Sequence, residues 1–142
     1  MIKNTEFIEK LRTSGLRPTK QRLKICEVLF DRDSTFHFTI GDLVKNISDK
    51  VNEKISLATV YNTVHAFKEK GYLKEISINS DKSYFDTNTS VHHHFFDEDT
   101  NELIDCDENH IDSINVKKNI TGKKINSVEV LIKVASDNHN QN

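Results

Sequence analysis

Three stretches of apolar residues at helical spacing occupy the first half of this chain, followed by short runs that alternate. Pro18 and Thr19 stand ahead of Lys20–Phe30, where Leu23, Cys26 and Phe30 follow a helical stripe that Ile25 and Leu29 widen. Cys26 on that stripe reads as a core residue. Thr39 with Asp42 offers a cap for a second helix whose Ile40, Leu43, Val44 and Ile47 share one face. A third helix runs from Ser56 as cap through Leu57–Lys70 to a stop at Gly71. Leu57, Val60, Val64 and Phe67 form its core stripe; Ala58, Thr59, Asn62 and Ala66 lie opposite, with Tyr61 at the border. Tyr72–Ile78 and Ser83–Asp86 flank the turn formers Asn79–Lys82 and predict a hairpin. Three helices and a hairpin predict a winged helix-turn-helix over residues 1–86.

The second half reads as a smaller α/β unit over residues 87–135, which makes the fold class α+β. Val91, Phe95 and Phe96 place a strand around His92-His93-His94, Glu102–Asp105 a short strand, and Glu108 to about Lys117 a short helix. Lys124–Val134, rich in β-branched residues, predicts the longest strand. Residues 136–142 predict a disordered tail, so His139 is no ligand candidate.

Charge divides the chain in the same way. Residues 1–86 carry 15 Lys and Arg against 12 Asp and Glu, and residues 87–142 carry 5 against 10. Six basic residues and no acidic one lie between Lys10 and Cys26. Beside a third helix whose outer face is small and uncharged, such a cluster suits double-stranded DNA: Asn pairs with adenine, and apolar groups meet the thymine methyl. A solvated charged face, or a winged helix that binds protein or buffers metal, is the bland alternative. No apolar run approaches the ~20 residues that span a bilayer. The polar start Met1–Glu6 lacks a secretory pattern, so the cytoplasm is expected.

Candidate chemistry centres on the histidine run, three of the seven histidines in the chain. In a strand His92 and His94 share one face and His93 takes the other, so one run serves two sites. Cys26 and Cys106 form no CxxC pair, which leaves nitrogen and oxygen to bind Fe(II), Mn(II) or Zn(II). A metallohydrolase would use the same residue types, but no HExxH, nucleophile elbow or phosphate-binding glycine loop is present. No enzyme is expected.

Gly15–Arg22, Ser56–Val64, Tyr84-Phe85-Asp86 and His92–His94 together resemble the ferric uptake regulator superfamily over roughly residues 10–134. Tyr84–Asn88 followed by three histidines and two aromatics is most similar to its iron response regulator branch. The resemblance implies a homodimeric repressor of iron and haem genes whose second unit dimerises through its sheet. It would act at AT-rich, near-palindromic operators. Tyr61 would read DNA with Arg17 in a minor groove, and Lys20, Arg22, Ser56, Thr59 and Asn62 would complete the DNA-binding set. Asn62 stands where many members have Arg. A regulatory metal site would draw on His37, Asp86, His92, His94 and Asp105, and a second metal or haem site on His93 and Asp112. The distal histidine of that second site falls near Val128. The family's structural zinc site is absent, because Glu98-Asp-Thr-Asn101 replaces its CxxC. An Fe(II)- or Mn(II)-corepressed or peroxide-sensing regulator is the alternative reading.

Overall fold

Thr19 and Ser56 begin two of the helices that the pattern predicts, each accepting a backbone N–H from the residue three further on, Arg22 and Thr59 respectively. The computed structural model describes residues 2–51, 54–107 and 109–137, and the chain divides into two units after Thr89.

The first unit contains α1 (Ile2–Thr13), α2 (Lys20–Phe30), β1 (His37–Phe38), α3 (Ile40–Val51), α4 (Leu57–Lys70), β2 (Lys74–Asn79) and β3 (Lys82–Asp86). Its core joins Phe7 and Leu11 of α1, Ile25, Cys26 and Leu29 of α2, Leu43 and Ile47 of α3, and Val60, Val64 and Phe67 of α4. Burial pushes the Cys26 thiol up to about 12, so it stays protonated and inert, as a core residue should. Gly71 closes α4 in the left-handed region at φ 87°, where a side chain would be strained. Asp42 and Thr39 cap α3 reciprocally: Thr39 N–H donates to the carboxylate and Asp42 N–H to the hydroxyl.

Three features of this unit differ from expectation. The helix α1 is an addition, and among its described residues Phe7 and Leu11, on a shared i, i+4 face, are the buried ones. It is clamped where the Lys10 ammonium lies 4.4 Å from the Tyr72 ring centroid and 5.0 Å from that of Phe30. Leu57 is 61% exposed rather than core, because it occupies the first turn of α4, one turn ahead of Val60, where the packed stripe begins. The wing gains a third strand: β1 pairs antiparallel with β3, giving the order β1-β3-β2, with His37 opposite Asp86.

The second unit is a three-stranded sheet of β4 (His93–Asp97), β5 (Glu102–Cys106) and β6 (Leu131–Val134), in the order β5-β4-β6. β5 runs antiparallel to β4 and β6 parallel to it. Glu98-Asp-Thr-Asn101 makes the β4–β5 turn: Asp97 Oδ1 accepts the N–H groups of Asp99 and Thr100, and Asn101 takes φ 60°. A carboxylate-capped turn thus closes the hairpin.

The expected helix over 108–117 does not form among the described residues of that range. Asp107 and His110 tie the segment into a turn, with Asp107 N–H donating to His110 Nδ1 at 3.0 Å. Ile111, Asp112, Ser113, Ile114, Asn115 and Val116 then have little helix propensity to oppose it. The expected long strand shortens to Leu131–Val134, because the N–H of Val130 goes to the His93 ring instead of a ladder carbonyl. Ser136, placed by the sequence in a disordered tail, donates its N–H to Asp99 at 2.6 Å. The Ser136 hydroxyl donates to the same carboxylate oxygen, and this bond, helped by the backbone one, holds the Asp99 carboxyl below the usual range. Residues 138–142, including His139, lie outside the described residues. No helix is long and apolar enough to cross a membrane among the described residues.

Candidate metal centre and nucleic-acid interface

Neighbouring residues of the histidine run carry their ring protons at opposite nitrogens. His92 shares a 2.7 Å hydrogen bond between Nδ1 and the Ser90 carbonyl, an acceptor only, so Nδ1 holds the proton and the neutral ring presents a bare Nε2. His93 does the reverse. Its Nδ1 accepts from Val130 N–H at 2.9 Å, so the neutral ring keeps its proton on Nε2 and offers a donor, not an electron pair.

His94 lies one residue further along β4, buried, and opposite Asp105 of β5. Its Nε2 is 3.2 Å from Asp105 Oδ1, and the Nε2 of His92 is 3.5 Å from the same oxygen. The two imidazole centroids are 4.4 Å apart. One ligand atom from each of His92, His94 and Asp105 falls within 4.8 Å of the others, close enough to share one cation. Two imidazoles and one carboxylate, with no thiolate, form the donor set of non-haem Fe(II) sites and also suit Mn(II) and Zn(II). The Ser90 carbonyl supplies the outer contact that fixes the orientation of a ligating imidazole.

In the first unit, β1, β3 and β2 bring His37, Asp86 and Lys74 into one row, Asp86 lying between the other two. Asp86 is 1% exposed, and its Oδ1 accepts Asn88 N–H at 2.8 Å. His37 stands edge-on to Tyr84 with ring centroids 6.4 Å apart. The Lys74 ammonium is held below its usual range, chiefly by burial and against the attraction of Asp86. The two-residue β1 is too short to show a period, so only the family resemblance groups His37 with Asp86, and no motif signal adds Lys74 to them.

His93 and Asp112 line one cleft of about 510 Å³ within the second unit, together with Cys106 and Val128. Val128 fills the place expected for a distal histidine, and His93 is committed to Val130. With Nδ1 taken by Val130, His93 turns its Nε2–H donor to the cleft that it shares with the Asp112 carboxylate.

The DNA-binding candidates gather around the starts of α2 and α4. Thr19, Lys20, Gln21, Arg22 and Thr59 line a cleft of about 310 Å³. Arg22 Nη1 donates to the Arg17 carbonyl at 3.0 Å, which fixes the loop carrying the exposed Arg17. The N–H groups at the start of α2 and this cationic rim form an environment suited to phosphate. Ser56 is spent on capping, bonded to both the N–H and the hydroxyl of Thr59. Tyr61, 50% exposed, and Asn62 project outward from α4. The Tyr61 ring lies 4.0 Å from that of His65, a residue that no sequence motif marks.

The ferric uptake regulator family model matches residues 13–134. The chain is 34% identical over 121 residues to the peroxide operon regulator of Bacillus subtilis, covering 84% of this chain and 81% of that protein. It is 34% identical over 109 residues to the peroxide-responsive repressor PerR of Staphylococcus epidermidis, covering 77% and 71%. Among solved structures, the Vibrio cholerae ferric uptake regulator aligns with a TM-score of 0.69 at 23% identity, covering 91% of this chain and 98% of that one. The Pseudomonas aeruginosa ferric uptake regulator with manganese aligns at 0.64 and 22%, covering 96% and 98%. The chain belongs to the ferric uptake regulator family, whose members are transcription regulators and not enzymes.

Proposed function

We propose that this protein is a metal-dependent, peroxide-responsive repressor that binds DNA as a homodimer when Fe(II) or Mn(II) is bound. The convergence of His92, His94 and Asp105 on one point carries the reading. In this proposal His37 and Asp86 complete the coordination, and the metal-bound form is the one that fits DNA. Iron bound there supplies a one-electron redox centre that peroxide can attack. The chain's own residues orient the ligands, through Ser90 on His92 and the β4–β5 ladder on His94 and Asp105.

For the partner, α4 would enter the major groove through Tyr61 and Asn62, with Arg17 reaching a minor groove and Lys20, Arg22 and Thr59 at phosphates. The exposed Ile104 on edge strand β5, with Ile114, Ile120 and Ile125, offers apolar surface for a second copy. Two-fold symmetry would then match an AT-rich near-palindrome in the cytoplasm. The Bacillus subtilis and Staphylococcus epidermidis relatives are named for peroxide, which favours this reading over the iron response branch. Two imidazoles with one carboxylate are the donor set of a divalent cation, so haem has no part in this proposal.

The test uses the duplex that the wild-type protein enriches from a random-sequence pool in Mn(II). Both Mn(II) and Fe(II) should raise affinity for it, and hydrogen peroxide should then abolish binding by the iron form while sparing the manganese form. An iron form that survives peroxide would reduce the proposal to a metal-corepressed regulator. If neither metal raised affinity and haem lowered it, the iron response reading would replace it.

Lys74 supplies a further prediction. Its cation shares the sheet row of Asp86 and would oppose a divalent ion there. Lys74→Met should tighten Mn(II) binding by about threefold to tenfold in calorimetry. Unchanged affinity would show that the metal does not approach that row.

A further inference from the structure

Tyr61, the residue assigned above to reading DNA, is half exposed and sits one helical turn before His65 on α4. The two rings are 4.0 Å apart between centroids and tilted by 37°. His65 also meets the Phe85 ring edge-on at 5.5 Å and 77°. Phe85 stacks on Phe38 at 6.0 Å. One turn beyond His65, Lys68 bridges to Glu75 at 3.4 Å. Phe38, Phe85 and Glu75 form a single register row across the wing, so α4 meets the sheet through that row.

The adjacent row, His37, Asp86 and Lys74, lies one residue along each strand and therefore on the opposite face of the sheet. A displacement of β3 at Asp86 reaches Phe85 through one peptide link. From Phe85 it reaches Tyr61 through a single ring.

We propose that His65 is a positioning residue, its imidazole packed between Phe85 and Tyr61 so that the state of β3 sets the orientation in which Tyr61 meets DNA. This rests on the reading of α4 as the DNA helix and Asp86 as a metal ligand. His65 is neither a metal ligand nor a DNA contact in this account. Its flat ring transmits position because it packs against both neighbours, and aromatic contacts of this kind contribute enough to alter an equilibrium several-fold.

The experiment measures affinity for the enriched duplex, with Mn(II) and with chelator, for wild type, His65→Ala, His65→Phe, Tyr61→Ala and the Ala–Ala double variant. Mn(II) affinity and thermal unfolding are followed in parallel. His65→Ala should lose roughly threefold to tenfold in the Mn(II) form, and much less in the metal-free form. Its Mn(II) affinity should stay at the wild-type value. His65→Phe should restore DNA binding, and the double variant should bind no worse than Tyr61→Ala alone. Losses that multiply in the double variant, failure of His65→Phe to rescue, or equal losses with and without Mn(II) would each overturn the proposal. Wild-type affinity in Tyr61→Ala would instead sink the DNA-reading assignment, and the proposal with it. A wild type indifferent to Mn(II) would sink the metal assignment in the same way.

Discussion

His94→Ala should lower Mn(II) affinity by at least about a hundredfold and leave DNA binding indifferent to metal. Three features make this ligand harder to replace than its neighbours. The residue is 4% exposed, so water cannot readily stand in for the lost imidazole. Its backbone is fixed on both sides, by pairing with Asp105 on β5 and with Leu131 on β6. Its Nε2 also makes the shorter of the two approaches to Asp105, 3.2 Å against 3.5 Å for His92. The truncation leaves the Asp105 carboxylate without that imidazole and opens a gap that the sheet cannot close by a rotamer change. Calorimetry with Mn(II), beside far-UV circular dichroism to show that the sheet persists, checks the result. His94→Ala with near-normal Mn(II) affinity would exclude the His92, His94 and Asp105 set as the metal site. His93→Ala gives the contrast, since it removes the acceptor for Val130 N–H and should cost stability more than metal affinity.

The second large effect lies in the core of the winged helix. Phe67→Ala should destabilise the first unit by about 3–5 kcal/mol in urea denaturation. Phe67 is among the largest side chains with no exposed surface, and it meets Phe30 edge-on at 5.6 Å and Tyr72 at 6.0 Å. It thereby holds α2, α4 and the start of the wing together. Tyr72 in turn bonds Thr13 at 2.8 Å and carries Lys10 against its ring, so the cavity would also loosen α1. Leucine at this position should recover much of the loss by refilling volume. A cost below about 1 kcal/mol would mean that the helices do not share the core described.

How much of this was legible in the sequence follows from the length of each signal. The helix from Ser56 to Gly71 has a cap, four turns of stripe and a glycine stop, and its bounds emerge as read. The helix α1 is hidden because Phe7 and Leu11 are its only described buried residues and the basic cluster overlaps its end. The strand β1 is two residues long, below any detectable period, yet it places His37 opposite Asp86. Beyond Asp107 the apolar residues alternate with Asp, Ser and Asn, and pattern alone does not reveal that a ring nitrogen of His110 captures the Asp107 N–H. Alternation along β4 does separate His93 from His94, but which histidine offers an electron pair is decided by two backbone groups, Ser90 C=O and Val130 N–H. Only tertiary structure brings Val130 to His93, which is 37 residues away.

The central claim is that a metal at the histidine site switches DNA binding, and it reduces to a ratio of two affinities. Fluorescence anisotropy of the enriched duplex, titrated with wild-type protein in Mn(II) and again in chelator, measures that ratio directly. A coupling free energy of the usual size predicts roughly fivefold to a hundredfold tighter binding with Mn(II), reduced to parity in His94→Ala. Equal affinity in Mn(II) and chelator for the wild-type protein would contradict the account.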